Sequence, residues 1–96
     1  MKDFGFIELY EVYKELFTAN QRRLLDGYYD YDLTLSELAE EAGTTRQSVY
    51  DAVRKAKVTL NEYESKLGLL KLKKKLEEFS ETLPEDKKNE LKNILS

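Results

Sequence analysis

From Thr45 to Gly68 the chain runs without a glycine or a proline, and Val53, Ala56, Leu60, Tyr63, Leu67 and Leu70 follow one another three and four residues apart. That spacing belongs to one face of an α-helix, whereas a half-buried strand would alternate at every second residue. A long helix capped by Thr45 and ended by Gly68 is the expectation, and the rest of the chain has to pack around it. The apolar seam is just over two heptads long, which is short for a coiled coil. Packing inside one chain is therefore favoured over a dimer zipper, giving a monomer or a weak homodimer. Only 4 Gly and 1 Pro among 96 residues leave too few turn residues for a sandwich or barrel of many short strands. The fold class is all-α.

The flanking segments repeat the helical pattern. Phe6, Leu9, Tyr10, Tyr13, Leu16 and Phe17 outline a first amphipathic helix, with Glu8, Glu11, Lys14 and Glu15 between them. Thr18 is positioned to cap a second helix whose apolar side is Leu24, Leu25, Tyr28 and Tyr29. Gly27 lies inside that helix and is expected to weaken it by about 1 kcal/mol relative to Ala. Thr34-Leu35-Ser36-Glu37 has capping-box spacing and starts a third helix running to about Ala42. After Gly68, Leu69, Leu72, Leu76, Phe79 and Leu83 predict a fifth helix with Lys71, Lys73, Lys74 and Lys75 on its outer surface. Pro84 suits the first turn of a last helix carrying Leu91, Ile94 and Leu95. The expected division is a helix-turn-helix domain over residues 1–67 and a helical extension over 68–96.

Residues 35–54 have the order of a helix-turn-helix. Leu38, Ala39 and Ala42 form the inner side of its first helix, Gly43 the turn, and Val49, Ala52 and Val53 the inner side of its second. Ala39 has to be small where the helices cross, and Gly43 has to accept a left-handed turn. The plainer alternative is a helical hairpin that only packs. As a binding motif, the second helix presents Thr45, Arg46, Gln47, Tyr50, Asp51 and Arg54 outward. Arg46 and Gln47 are of the types that match guanine and adenine edges, while Thr45, Arg54, Lys55 and Lys57 suit phosphate. Taken without the motif, Arg54 to Lys57 would be an ordinary solvated face.

Charge and chemistry narrow the function further. Overall, 16 Lys and Arg stand against 19 Asp and Glu, but the first 45 residues carry 4 basic and 10 acidic groups while the remaining 51 carry 12 and 9. The second half is the one able to meet a polyanion. With no Cys and no His, thiol nucleophiles, disulfides, zinc sites and imidazole acid-base chemistry are removed together. No phosphate-binding loop is present, so no enzyme, no metal and no cofactor is expected. No apolar run is long enough for a membrane span, and the start at Met1-Lys2-Asp3-Phe4-Gly5 lacks a leader's basic-then-apolar layout, so a cytoplasmic protein without a membrane partner is expected.

The ordered set of residues resembles region 4 of bacterial sigma factors, in the winged-helix-like DNA-binding superfamily. It is more closely similar to the YlxM (p13-like) family, small sigma-region-4-like proteins associated with the bacterial signal recognition particle. The resemblance rests on Phe17 to Arg22, the pair Tyr28-Tyr29, Asp32 to Glu41, and Thr45 to Asp51, and continues through Leu60, Tyr63-Glu64 and Lys66-Leu67. Thr44, Thr45, Ser48 and Gly27 depart from the family pattern, and the first and last of these are expected to loosen packing. The resemblance implies a non-enzymatic accessory or regulatory protein of the signal recognition particle pathway, contacting its RNA or protein. Two other readings stand beside it: a DNA-binding transcriptional regulator, which the motif supports directly, and a protein-interaction module that kept the fold, which the acidic first half supports.

Overall fold

A computed structural model describes residues 4–96. Met1, Lys2 and Asp3, part of the stretch read above for a leader's layout, lie outside the described residues. The elements are α1 (Phe4–Tyr13), a 3₁₀ turn (Lys14–Leu16), α2 (Ala19–Tyr29), α3 (Leu35–Ala42), α4 (Arg46–Leu67), α5 (Leu69–Ser80) and α6 (Glu85–Leu95), with no strand among the described residues. The all-α expectation holds. α4 serves as the axis: α3 packs along its first turns, and α1 packs along its middle.

Local chemistry sets the boundaries. Thr18 and Thr34 each close a reciprocal capping box, with Gln21 and Glu37 respectively. Thr45 caps α4 by accepting from the Ser48 amide at 3.1 Å. α3 ends at Gly43, whose φ of 67° is left-handed, and the Thr44 amide then donates back to the Ala39 carbonyl at 2.9 Å in a Schellman-type closure. α4 also ends at a left-handed glycine, Gly68 with φ 60°, but there the glycine's own amide closes the helix by donating to the Glu64 carbonyl at 2.9 Å. Pro84 is the residue before α6 rather than its first, with an extended ψ of 156°.

Two apolar clusters share α4. One gathers Tyr10, Tyr13, Phe17, Leu25, Tyr29, Ala56 and Leu60; the other gathers Leu38, Ala39, Val49 and Val53, and Tyr28 packs against both. The first is unusually aromatic, with ring centroids 5.5 Å apart for Tyr10–Tyr29 and 5.7 Å for Tyr13–Tyr63. Tyr10 donates its hydroxyl to the Asp26 carboxylate at 2.6 Å, which satisfies a phenol at the centre of the core. Burial, reinforced by that carboxylate, pushes the Tyr10 hydroxyl well above the usual phenol range.

Several expectations about facing change. The first helix stops at Tyr13, and the 3₁₀ turn that follows leaves Leu16 exposed while returning Phe17 to the core. Ala42 and Ala52, expected on the inner faces of the helix pair, are both exposed. Leu67 is exposed at the end of a seam whose Val53, Ala56 and Leu60 are buried, so most of the seam is filled from within the chain. Gly27 does not loosen helix two. A Cβ there would come within 2.7 Å of Leu38 Cδ2 and 3.4 Å of Leu33 Cδ1. The missing side chain is what lets α3 close on α2, and its helix-propensity cost is the condition of that contact.

The radius of gyration is 16.3 Å and the principal extents are 52 × 25 × 25 Å. A compact chain of this length would have a radius near 12.5 Å. The excess goes with α5 and α6, which contain a single buried residue, Ser80.

Candidate nucleic-acid interface

The start of α4 is built by three features of the local sequence. Gly43 turns the chain, Thr45 caps the new helix, and Val49 and Val53 anchor it to Leu38 and Ala39. At about 100° per residue, the direction opposite these anchors falls among Gln47, Asp51, Arg54 and Lys55, while Tyr50 and then Arg46 lie progressively nearer the anchored side. All of these residues are exposed. Tyr50 presents 48% of its surface, a flat aromatic at the rim of an otherwise charged face.

The exposed side chains are partly organised already. Gln47 donates from Nε2 to Asp51 Oδ1 at 3.0 Å, one helical turn along. Its amide oxygen remains available as an acceptor, but bidentate pairing with a base would require the Asp51 contact to open. Asp51 also places a carboxylate between Arg54 and Lys55 in angle, so the outward side carries two cations against one anion, with Arg46 on its flank.

Lys57 lies off the outward side. It stands about 160° around the helix from Lys55, and its Nζ lies 5.3 Å from the centroid of the Phe6 ring on α1. The basic run Arg54 to Lys57 is continuous in sequence but splits in space. Of the eight sequence-predicted residues, Thr45 caps α4, Gln47, Asp51, Arg54 and Lys55 share its outward half, Arg46 and Tyr50 are exposed on one flank, and Lys57 lies on that same flank farther along the helix, over Phe6 of α1.

The polar centre missed by sequence reasoning lies at the far end of α4. Tyr13 donates to Glu64 Oε1 at 2.6 Å, and the same carboxylate accepts from the Leu70 amide at 3.1 Å and the Lys71 amide at 3.0 Å. The Leu69 amide donates to the Tyr13 hydroxyl at 3.1 Å. Glu64 and Tyr13 thereby satisfy the free amides at the N-terminus of α5, which Gly68 cannot cap with a side chain. Burial raises the Glu64 carboxyl, but the Tyr13 hydroxyl, the two amides and the nearby Lys71 charge outweigh it and hold the group below the ordinary glutamate range. The signal available in the sequence was a glutamate four residues before a helix-ending glycine. The 51-residue separation between Tyr13 and Glu64 concealed the other half.

No group of three or more metal-ligating side chains comes together among the described residues. No helix among them is long and apolar enough to cross a membrane.

Comparison with known proteins agrees with this architecture. The chain is 42% identical to the UPF0122 protein of Clostridium kluyveri over 90 residues, covering 86% of this chain and 81% of that protein. It is 40% identical to UPF0122 protein BH2485 of Halalkalibacterium halodurans over 77 residues, covering 80% and 71%, and 41% identical to UPF0122 protein TTE1463 of Caldanaerobacter subterraneus over 86 residues, covering 84% and 74%. No solved structure matches. With residues 1–95 matching the family described as helix-turn-helix protein, YlxM / p13 like, the turn at Gly43 and the helix capped by Thr45 acquire a family context: the chain belongs to UPF0122.

Proposed function

We propose that this protein is a non-enzymatic accessory or regulatory factor that binds nucleic acid through the first three turns of α4. The observation that carries the reading is the exposed side of those turns, where Gln47, Arg54 and Lys55 face outward and Arg46 and Tyr50 stand exposed on the flank beside a capped N-terminus, while Val49 and Val53 fix the helix from behind. Arg46 and Gln47 read base edges; Arg54, Lys55 and the Thr45 region meet phosphate. In this reading residues 1–67 form the binding unit and 68–96 an extension with a separate task.

Duplex DNA is the favoured ligand class. An α-helix about 10–12 Å across enters the B-form major groove, about 12 Å wide, but not the narrow groove of A-form RNA. The resemblance to YlxM proteins supports a place in the signal recognition particle pathway. An RNA partner there would be held at a loop or along its backbone, with Tyr50 available for stacking.

The test is gel-shift titration against duplex DNA, signal recognition particle RNA and unrelated RNA at two salt concentrations. Replacing Arg46 and Gln47 with Ala is expected to reduce discrimination among sequences by about 1–3 kcal/mol per specific contact. Replacing Arg54 and Lys55 is expected to weaken all sequences alike and reduce the salt slope by close to one unit per lost phosphate contact. Wild-type protein that binds no better than an acidic control, or two variant sets that match wild type, would favour a protein-interaction module instead.

A further inference from the structure

The C-terminal helices leave an apolar stripe uncovered. On α5, Leu69 is 44% exposed, Leu72 53% and Phe79 58%; Leu76 lies half-buried in the same line, and Leu83 is half-buried in the turn that follows the helix. α6 occupies a different side, where Leu91 and Leu95 face Lys73, Glu77 and Ser80. α1 takes a third side through the Lys74–Glu8 ion pair at 2.7 Å. The stripe is therefore left over after both intramolecular neighbours are seated.

The pattern of α5 indicates what covers it. The apolar positions 69, 72, 76, 79 and 83 are nearly symmetric about Leu76, so the stripe reads almost the same in either direction. The charges do not: Lys71, Lys73, Lys74 and Lys75 fill the first half, and Glu77, Glu78 and Glu81 the second. This layout opposes the helix's own dipole, which favours acids at the N-terminus and bases at the C-terminus. Lys74 and Glu81 are neutralised inside the chain by Glu8 and Lys88. Lys71, Lys75 and Glu78 close no ion pair within the chain among the described residues, and at about 100° per residue they share one flank of the stripe.

We propose that the stripe is a homodimer interface in which α5 packs antiparallel against α5 of a second copy. A two-fold axis through the region of Leu76 sets Leu69 and Leu72 against Leu83 and Phe79 of the partner copy. It also brings each flank against the same flank of the copy, so that Lys71 and Lys75 meet the acidic half carrying Glu78. A parallel arrangement would set lysines against lysines, and a foreign helix would gain nothing from the palindromic stripe. The interface relieves the unfavourable dipole layout at both ends of α5. It lies away from the start of α4, so both candidate nucleic-acid faces stay open and become related by two-fold symmetry. A helix of 12 residues spans about 18 Å, which makes the contact small beside interfaces of about 1,600 Å² in stable complexes, so dimerisation is concentration-dependent.

Sedimentation equilibrium of the full chain over about a hundredfold concentration range is expected to follow a reversible monomer–dimer equilibrium, with mass rising from 11.3 kDa toward twice that value. Phe79→Lys, at a site already more than half exposed, is expected to raise the dimer dissociation constant about tenfold or more with helical circular dichroism unchanged. Lys75→Glu is expected to weaken the dimer about fivefold, and adding Glu78→Lys is expected to restore it. A chain that stays monomeric throughout, or a dimer indifferent to Phe79→Lys, overturns the proposal. Failure of the double variant to recover overturns the antiparallel arrangement.

Discussion

α4 and α5 carry the same three-and-four apolar spacing, yet they end in opposite circumstances. Val53, Ala56 and Leu60 of α4 are buried by α1, α2 and α3, whereas Leu69, Leu72 and Phe79 of α5 face solvent. Periodicity identifies a face of a helix; it does not identify the occupant of that face. α4 gains its neighbours because the capped turns at Thr18, Thr34 and Gly43 fold the preceding helices back onto it. α5 follows α4 across a single glycine and meets α1, the end of α4 and the short α6. Helices of 12 and 11 residues are marginal alone in water, so the tail depends on its tethers, chiefly Glu64, Tyr13 and the Lys74–Glu8 pair.

The largest expected effect tests that contrast directly. Leu60→Ala, at a side chain with no exposed surface, is expected to cost about 2–5 kcal/mol. Leu72→Ala on α5, measured in dilute solution, is expected to change stability by no more than about 0.5 kcal/mol. Urea denaturation of the two variants side by side is the measurement, and equal losses would mean that α5 belongs to the same core. Next in size is the crossing of α2 and α3. Gly27→Leu is expected to cost about 1–3 kcal/mol through overpacking against Leu38 and Leu33. Gly27→Ala combines a smaller clash with about 1 kcal/mol of regained helix propensity, and a clear net stabilisation by Ala would show that the helices do not approach as described.

The same contrast explains what could be read before folding. The capping boxes, the turn at Gly43 and the extent of α4 were legible because each is decided within a few residues by backbone amides and a hydroxyl or a left-handed glycine. Gly27 was misread because propensity registers its cost within α2, while its benefit arises only when Leu38 arrives from another helix. Leu16 was misread because a 3₁₀ turn rotates the chain by more per residue than an α-helix does. Lys57 was grouped with Lys55 by adjacency, although two helical steps carry a side chain most of the way to the opposite face. The α5 joint was invisible because it combines Tyr13 with Glu64, neither informative alone.

That joint supplies the intermediate effect, and its pH dependence has a definite sign. Glu64→Ala leaves the Tyr13 hydroxyl and the Leu70 and Lys71 amides without their carboxylate, at an expected cost of about 1–3 kcal/mol. The folded carboxyl titrates below its unfolded value, so its contribution is present above the ordinary glutamate range near pH 4.3 and is lost as pH falls through the folded value. The stability difference between wild type and Glu64→Gln should therefore be constant near neutrality and shrink in acid. Tyr13 behaves oppositely at the other extreme: burial, followed by its bond to Glu64, raises the phenol, so its contribution is held below about pH 10 and lost as pH rises beyond it. A wild type-to-variant difference that persists unchanged well below the glutamate range would mean that the carboxylate does not hold α5.

The smallest effect separates two lysines that the sequence places side by side. Lys57 rests over Phe6, and an exposed cation–ring contact contributes about 0.5–1 kcal/mol, partly offset on truncation because Ala is a strong helix former. Lys57→Ala is therefore expected to lower stability by no more than about 1 kcal/mol. It should leave nucleic-acid affinity and its salt dependence at the wild-type level, because its charge sits on the α1 side of α4. Lys55→Ala is expected to do the reverse: stability holds, while the slope of log affinity against log salt on duplex DNA falls by about 0.9 for the one phosphate contact removed. Binding isotherms of both variants at several salt concentrations, paired with thermal melts, distinguish the two outcomes. Equal loss of slope for Lys55 and Lys57 would mean that the nucleic acid wraps toward α1, and the contact surface would have to be redrawn to include Phe6 and the first turns of that helix.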